Sequence, residues 1–265
     1  MESTPLRCPV QECNLPVDVI IKSSDDKYFG AHTTNLEVFS SGFAPASLAT
    51  SSPAATVDPV CLTESGDVLE LLLRSMHSQR PPDLSGCTIK MFMNVAEAAE
   101  KYLVHHVMEI CRLNMYRLAP LHPNEVFAYA LKHRYPDLLD QTAPETLSWD
   151  AAEACEALGG SNFIIWVLYR ERWLTLYRGL PHLTVPVKHK GGVQECEYWD
   201  RFFVQIVERG LEGLTRWNEW IGESVDEVDC TWCSPRAMNL RAKMEKMISL
   251  YVRSASELAN ISVPK

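Results

Sequence analysis

The chain of 265 residues has no uninterrupted apolar run of the length a bilayer demands. Its most apolar segment, FIIWVLYRERWLTLY at 163 to 177, is broken by Arg170, Glu171 and Arg172. It falls short of the roughly 20 residues that a span requires, so it reads as a buried helix and no membrane role is expected. Basic charge is also short: 25 Lys and Arg stand against 34 Asp and Glu, a formal net charge of −9. That balance excludes a broad positive surface binding nucleic acid through its phosphates, and no C2H2 finger pattern or basic helix is there to read bases. Motifs that carry catalysis are missing as well. There is no G-x-S-x-G elbow, Walker loop, H-E-x-x-H or G-x-G-x-x-G, and the glycine pairs in KHKGG and LGGSN read as turns, so a non-catalytic protein is expected. The stretch MESTPLRCPVQECNLP has neither a basic n-region nor an apolar core of a secretory signal, and the nine cysteines are an odd number. Reduced thiols in cytoplasm or nucleus are the expectation.

What is present is enough apolar material, 46% of the residues, for one large core or two smaller ones. DVIIK at 18 to 22, the polar cluster SSDD and KYFGAH form a β-hairpin signature, with Asp25 and Asp26 solvated in the turn. Thr33 or Thr34 is placed to cap a short helix bearing Leu36, Phe39 and Phe43. APASLATSSPAATVDP at 44 to 59 reads as a mobile loop, and VCLTE at 60 to 64 as a third strand. Ser65 or Asp67 can cap the next helix, whose Leu69, Leu72, Leu73 and Met76 share a face and which RPPD ends. Two amphipathic helices follow, with stripes at Ile89, Phe92, Met93, Ala96 and Ala99, then at Val107, Ile110, Cys111 and Met115. Strands first and helices after them make an α+β order, in which a small sheet is covered by the helices.

DVIIKSSDDKYFGAH, the helix with Phe39 and Phe43, VCLTESGDVLELLLRSMH and VAEAAEKYLVHHVMEIC, in that order and spacing, resemble a BTB/POZ domain over residues 15 to 118. In that family the histidine and aspartate equivalent to His32 and Asp18 belong to the packed junction of sheet and helix and carry no chemistry, though in parts of the family the aspartate lies near a dimer interface. A lone histidine without a nucleophile or further ligands at recognised spacing leads to the same structural reading. The resemblance implies a protein partner: homodimerisation or hetero-oligomerisation through this domain. In several branches of the family it also implies recruitment of a cullin scaffold for ubiquitin ligation. Those members carry a hydrophobic-x-Glu element where this chain reads SQRPPDLSG, without the glutamate, so adaptor function ranks below plain oligomerisation.

After 118 the composition turns helical, with a helical extension at 119 to 178 and a helical C-terminal region with a cysteine pair at 179 to 265. APLHPN reads as a linker, and Pro136 and Pro144 as breaks between short helices. Trp199, Phe203, Ile206, Trp217 and Trp220, then Leu240, Met244, Met247 and Tyr251, recur at helical spacing and read as core rather than as an exposed partner groove. A tail of this kind after a BTB domain resembles many fungal proteins. CTWC at 230 to 233 is a C-x-x-C pair that can clasp a zinc ion; Cys196 and His189 can complete the site, with His182 as an alternate. The competing reading of Cys230 and Cys233 is two semi-buried thiols flanking Trp232. A thioredoxin-like role needs a βαβ unit, which the pattern does not contain. The expectation is therefore an interaction module, with a cullin adaptor or a zinc-stabilised transcription-associated scaffold as alternatives.

Overall fold

The β-branched run VIIK and the returning YFGA pair as an antiparallel hairpin, β1 (Val19–Lys22) and β2 (Tyr28–Ala31), in the register Val19↔Ala31 to Lys22↔Tyr28. The computed structural model describes residues 7–43, 58–190, 192, 195–252 and 254–260. It is 64% helical, with a three-stranded sheet of order β2-β1-β3. Strand β3 (Val60–Cys61) runs parallel to β1, pairing Ile21 with Val60. Only two residues of the expected VCLTE strand form regular ladder, but amides continue the pairing: Leu62 N donates to Lys22 O and Ser24 N to Glu64 O. The expected loop at 44 to 59 lies, up to residue 57, outside the described residues.

The described residues divide into two compact units, one ending at Arg117 and one starting at Leu118. In the first, helices α1 (Thr33–Phe39), α2 (Gly66–Ser75), α3 (Ile89–Lys101) and α4 (His105–Leu118, its last residue counted with the second unit) accompany the sheet. Ile21, Leu69, Leu72, Phe92, Val95, Val107, Cys111 and Met115 are buried, so the stripes read from spacing face inward. Each large aliphatic side chain so buried contributes about 1.5–3 kcal/mol.

Helix capping differs from the expectation. His32, not a threonine, is the residue before α1, and the Thr33 amide instead donates to Asp18 Oδ1 at 2.8 Å. Ser65 precedes α2 without using its hydroxyl, and the Gly66 amide donates to Asp25 Oδ1 at 2.6 Å. Two orphan amides are thus served by aspartates from the hairpin, where carboxylates give stronger bonds than hydroxyls. Asp25 is therefore not a purely solvated turn residue. Hydrogen bonds from Ser23 and from the Gly66 amide hold its carboxyl below the usual carboxylate range.

Helix α2 stops at Ser75, before RPPD is reached. Its terminal carbonyls are taken by rings: His77 Nδ1 lies 2.8 Å from Leu73 O, and His106 Nε2 3.0 Å from Ser75 O. Glu64 anchors β3 to the end of α3 by accepting from Lys101 Nζ at 2.7 Å and from Tyr102 OH at 2.5 Å. Gly42 donates its amide to Tyr102 O at 2.9 Å; a Cβ there would lie 2.5 Å from that carbonyl, so no larger residue fits.

The second unit is built from α5 (Pro123–His133), α6 (Pro136–Thr142), a 3-10 turn (Ala143–Ser148), α7 (Ala151–Leu158), α8 (Gly160–Leu183), α9 (Glu197–Thr215), α10 (Trp217–Asp226), α11 (Ser234–Tyr251) and α12 (Ala255–Ala259). Pro136 and Pro144 start helical segments rather than merely ending them, since a proline in the first turn gives up an amide that has no helical partner. The expected division at 178 falls inside α8, which runs through Gly179 and ends only after Pro181. Trp166, Trp217, Tyr129 and Phe127 are fully enclosed, and the Trp166 indole donates to Thr146 Oγ1 at 3.1 Å.

The long tryptophan stripe is also interrupted. Gly210, at φ 58°, kinks α9, a conformation that glycine adopts without the cost of a Cβ. Phe202 is buried there while Phe203 is only partly so, and at the far end of α11 Tyr251 is exposed although Leu240 and Met244 are enclosed. Among the described residues no helix is long and apolar enough to cross a membrane.

Candidate metal centre

Four chemically apt residues meet in the second unit where three segments begin or turn. After α10, Val228 is buried and Cys230 N donates to Val228 O at 2.8 Å, which sets the start of the CTWC turn. The turn closes with Cys233 N and Ser234 N both donating to Cys230 O, at 3.1 and 2.8 Å, and leads directly into α11. Pro235 in the first turn fixes the backbone for helix entry. Cys233 is thus the N-cap residue of α11 and Cys196 the N-cap residue of α9, and neither side chain caps its own helix. Both thiols sit at the positive ends of helices, α11 over 18 residues and α9 up to its kink at Gly210, where negative charge is favoured. His189 comes from the segment that follows α8.

The donor atoms of His189, Cys196, Cys230 and Cys233 all lie within 4.8 Å of one another. His189 Nε2 is 3.3 Å from Cys230 Sγ and 3.4 Å from Cys233 Sγ. Four donors around one zinc ion at bond lengths of about 2.0–2.3 Å would stand about 3.5 Å apart, so the cluster needs little contraction to close. Burial pushes the Cys230 thiol up, but the amides of Cys233 and Trp232, with His189 and Cys196, outweigh it and bring the pKa down to about 7. Cys233, fully buried, is pushed the other way, to about 12, by burial first and then by Cys196 and Cys230. Three thiols this close cannot all ionise beside one another unless a cation balances them, which is the service a divalent metal performs.

The arrangement can therefore hold a metal ion, and it unites all four residues that the sequence singled out. His182, the alternate, is exposed in the last turn of α8 and does not belong to the cluster. Trp232, between the paired cysteines, is half exposed and leaves the two thiols turned toward His189. Beside the cluster the Arg236 guanidinium lies over the Trp199 ring, 3.5 Å from its centroid, joining the first turns of α9 and α11.

His32 corrects the reading of a lone histidine. It is almost wholly buried at the junction of β2 and α1, but Cys8, Cys13 and His77 share its neighbourhood, and these four also have donor atoms within 4.8 Å of one another. In the sequence, the only signal for this cluster is the C-x4-C spacing of Cys8 and Cys13, within the range of zinc-ligand pairs. His77 gave no local signal, since only the end of α2 brings it there. Asp18 serves the backbone of α1, as described above.

Comparison of the chain with protein-family models, with curated proteins and with solved structures finds no match.

Proposed function

We propose that this chain is a non-catalytic protein-interaction scaffold, in which a BTB/POZ-like first unit associates with another polypeptide and a zinc ion on His189, Cys196, Cys230 and Cys233 braces the helical second unit. The observation that carries this reading is the closed donor set. Four protein ligands fill a tetrahedral zinc ion, three thiolates and one imidazole, and leave no position for water or substrate. Catalytic zinc sites keep that position open. A closed site contributes folding free energy instead, here by tying the starts of α9 and α11 to the segment after α8.

The interaction half of the reading is supported by the order of elements around the three-stranded sheet and by apolar side chains left in solvent in the first unit. Val38 on α1 is 75% exposed and Val60 on β3 is 48% exposed. The occupant is a second copy of this chain, since the resemblance to BTB domains implies self-association first. Apolar anchors of this kind contribute most of the affinity when an interface closes over them.

Metal analysis of protein purified without chelators tests the zinc half: one equivalent of zinc lost in Cys230→Ser with Cys233→Ser is expected, and no zinc dependent on these cysteines would refute it. Light scattering over a concentration series tests the other half. A dimer mass is expected, and a strictly monomeric mass at high micromolar concentration would refute it.

A further inference from the structure

The geometry points to a second zinc site in the first unit, in which the thiolates of Cys8 and Cys13 and the Nε2 atoms of His32 and His77 hold one ion and strap the segment 7–17 onto the hairpin and the end of α2. This site lies in a different unit from the one proposed above and does not depend on it.

The four donor atoms fall within 4.8 Å of one another, with Cys8 Sγ 3.2 Å from His77 Nε2 and Cys13 Sγ 3.2 Å from His32 Nε2. Each ring is held in the tautomer that a metal requires. His32 Nδ1 is 2.7 Å from Pro16 O, and His77 Nδ1 is 2.8 Å from Leu73 O. A carbonyl oxygen only accepts, so in each ring Nδ1 carries the proton and Nε2 presents its lone pair to the cysteines. A backbone carbonyl on the far nitrogen is the usual support of a zinc-bound histidine, fixing both ring orientation and basicity. The rings meet edge to face, centroids 5.6 Å apart at 82°, so the two Nε2 atoms approach the thiols from different directions.

The cysteines are also prepared. Cys13 N donates to Val10 O at 3.2 Å, folding the C-x4-C segment into a turn that brings the two sulfurs together, and Val10 N reaches Cys8 Sγ at 3.4 Å. Two imidazoles and two thiolates form the tetrahedral N2S2 set that suits zinc. As Zn2+ binds, both thiols release their protons to solvent, and the ion keeps its charge of +2 balanced by two thiolates.

The strap has a structural target. Strand β2 is an edge of the sheet, and its Gly30 N donates to Arg7 O at 3.1 Å. Gly30 lets this happen: a Cβ there would lie 2.8 Å from the Val17 side chain and 3.1 Å from the Arg7 backbone. Residues on both sides of the C-x4-C turn are thus laid against β2, and the ion would fasten the turn itself. An otherwise open strand edge is covered in this way.

The test is zinc content per full-length chain, purified without chelators, for the unaltered protein, for Cys8→Ser with Cys13→Ser, and for Cys230→Ser with Cys233→Ser, with helix content followed by circular dichroism. Two zinc ions per chain are expected, falling to one in either double variant. One ion that disappears only with Cys230 and Cys233, or a Cys8/Cys13 variant with undiminished zinc, would overturn the inference. One ion that disappears only with Cys8 and Cys13 would uphold it and refute the zinc site of the second unit, and no zinc at all would refute both. Should the Cys8/Cys13 variant fail to fold, His77→Cys decides: it keeps four donors, so two ions remain, and after exchange into cobalt(II) the thiolate-to-metal absorption rises above that of the unaltered protein. An unchanged cobalt spectrum would again overturn the site.

Discussion

The two units of this chain each gather two or three cysteines with one or two histidines, yet they assemble them differently. In the second unit the donors come from helix starts and turns over 45 residues of chain, three of them cysteines. In the first, a short C-x4-C turn meets two histidines delivered by a strand end and a helix end. The difference lies in what prepares each cluster. His32 and His77 have their rings fixed by backbone carbonyls, so that cluster is organised by its histidines. The other is organised by its thiols, two of which occupy the N-cap positions of long helices. With an ion bound, the first arrangement would fasten a segment to a sheet edge. The second would join the beginnings of two helices.

The largest effect that would sharpen this contrast is loss of the thiol-organised site. Cys233→Ala removes a buried donor and is expected to cost more than about 4 kcal/mol, as loss of a structural metal does. The thermal midpoint should fall by roughly 10 °C for a chain of this size, and a chelator should shift the unaltered protein in the same direction. Calorimetry with and without chelator checks both. A Cys233→Ala variant whose midpoint and chelator response match the unaltered protein would remove zinc from the second unit.

Next in size is a core truncation in the first unit. Leu72→Ala opens a cavity at a side chain with no exposure and is expected to cost about 2–5 kcal/mol by denaturant titration, while leaving the zinc proposed for Cys230 and Cys233 in place. If that zinc were lost as well, the two units would be coupled more tightly than the division at Arg117 implies.

These two sites also show how far the sequence could be read. The sheet-and-helix order of the first unit was legible because β-branched runs, polar turns and helical stripes are local signals. Ile21, Leu72, Phe92 and Met115 duly face the core. Cys230 and Cys233 were legible because a C-x-x-C pair announces itself, and Cys196 and His189 because the loop PHLTVPVKHKGGVQEC that carries them is long enough to fold back. His77 was not, because a histidine at the end of a leucine-rich helix has no periodicity of its own. The cap hydroxyls go unused for a related reason: Ser65 does occupy the N-cap of α2, but Asp18 and Asp25 arrive through the fold and bring a charge that outcompetes a hydroxyl. Gly210 hid its kink inside an apparently continuous stripe, since a glycine on a helix face looks the same in sequence whether or not it leaves helical geometry.

The caps supply a smaller test. Asp18→Ala and Asp25→Ala should each destabilise by about 0.5–2 kcal/mol, the usual range for losing an N-cap acceptor. Thr34→Ala, at the exposed threonine read from sequence as a possible cap, should have almost no effect. Denaturant midpoints of the three variants check the assignment, and a Thr34 effect equal to that of Asp18 would contradict it.

Smallest is a pH effect at Glu64. Burial works to raise its pKa, but Lys101 and Tyr102 outweigh that and leave it below the usual glutamate value. A carboxyl depressed in the folded state stabilises the protein above its unfolded pKa, and that contribution is lost as pH falls through the folded value. Glu64→Gln should therefore lower stability near neutral pH and shrink the further loss on acidification toward the folded pKa. Equal pH slopes in variant and unaltered protein would show that the carboxylate is not the group responsible.

The most direct measurement of the central claim is the zinc-edge X-ray absorption spectrum of the full chain carrying Cys8→Ser and Cys13→Ser, which isolates the site in the second unit. The expected shell is three sulfurs at about 2.3 Å and one nitrogen at about 2.0–2.1 Å, the closed set of Cys196, Cys230, Cys233 and His189. A shell containing water or carboxylate oxygen, with fewer than three sulfurs, would contradict a closed structural centre.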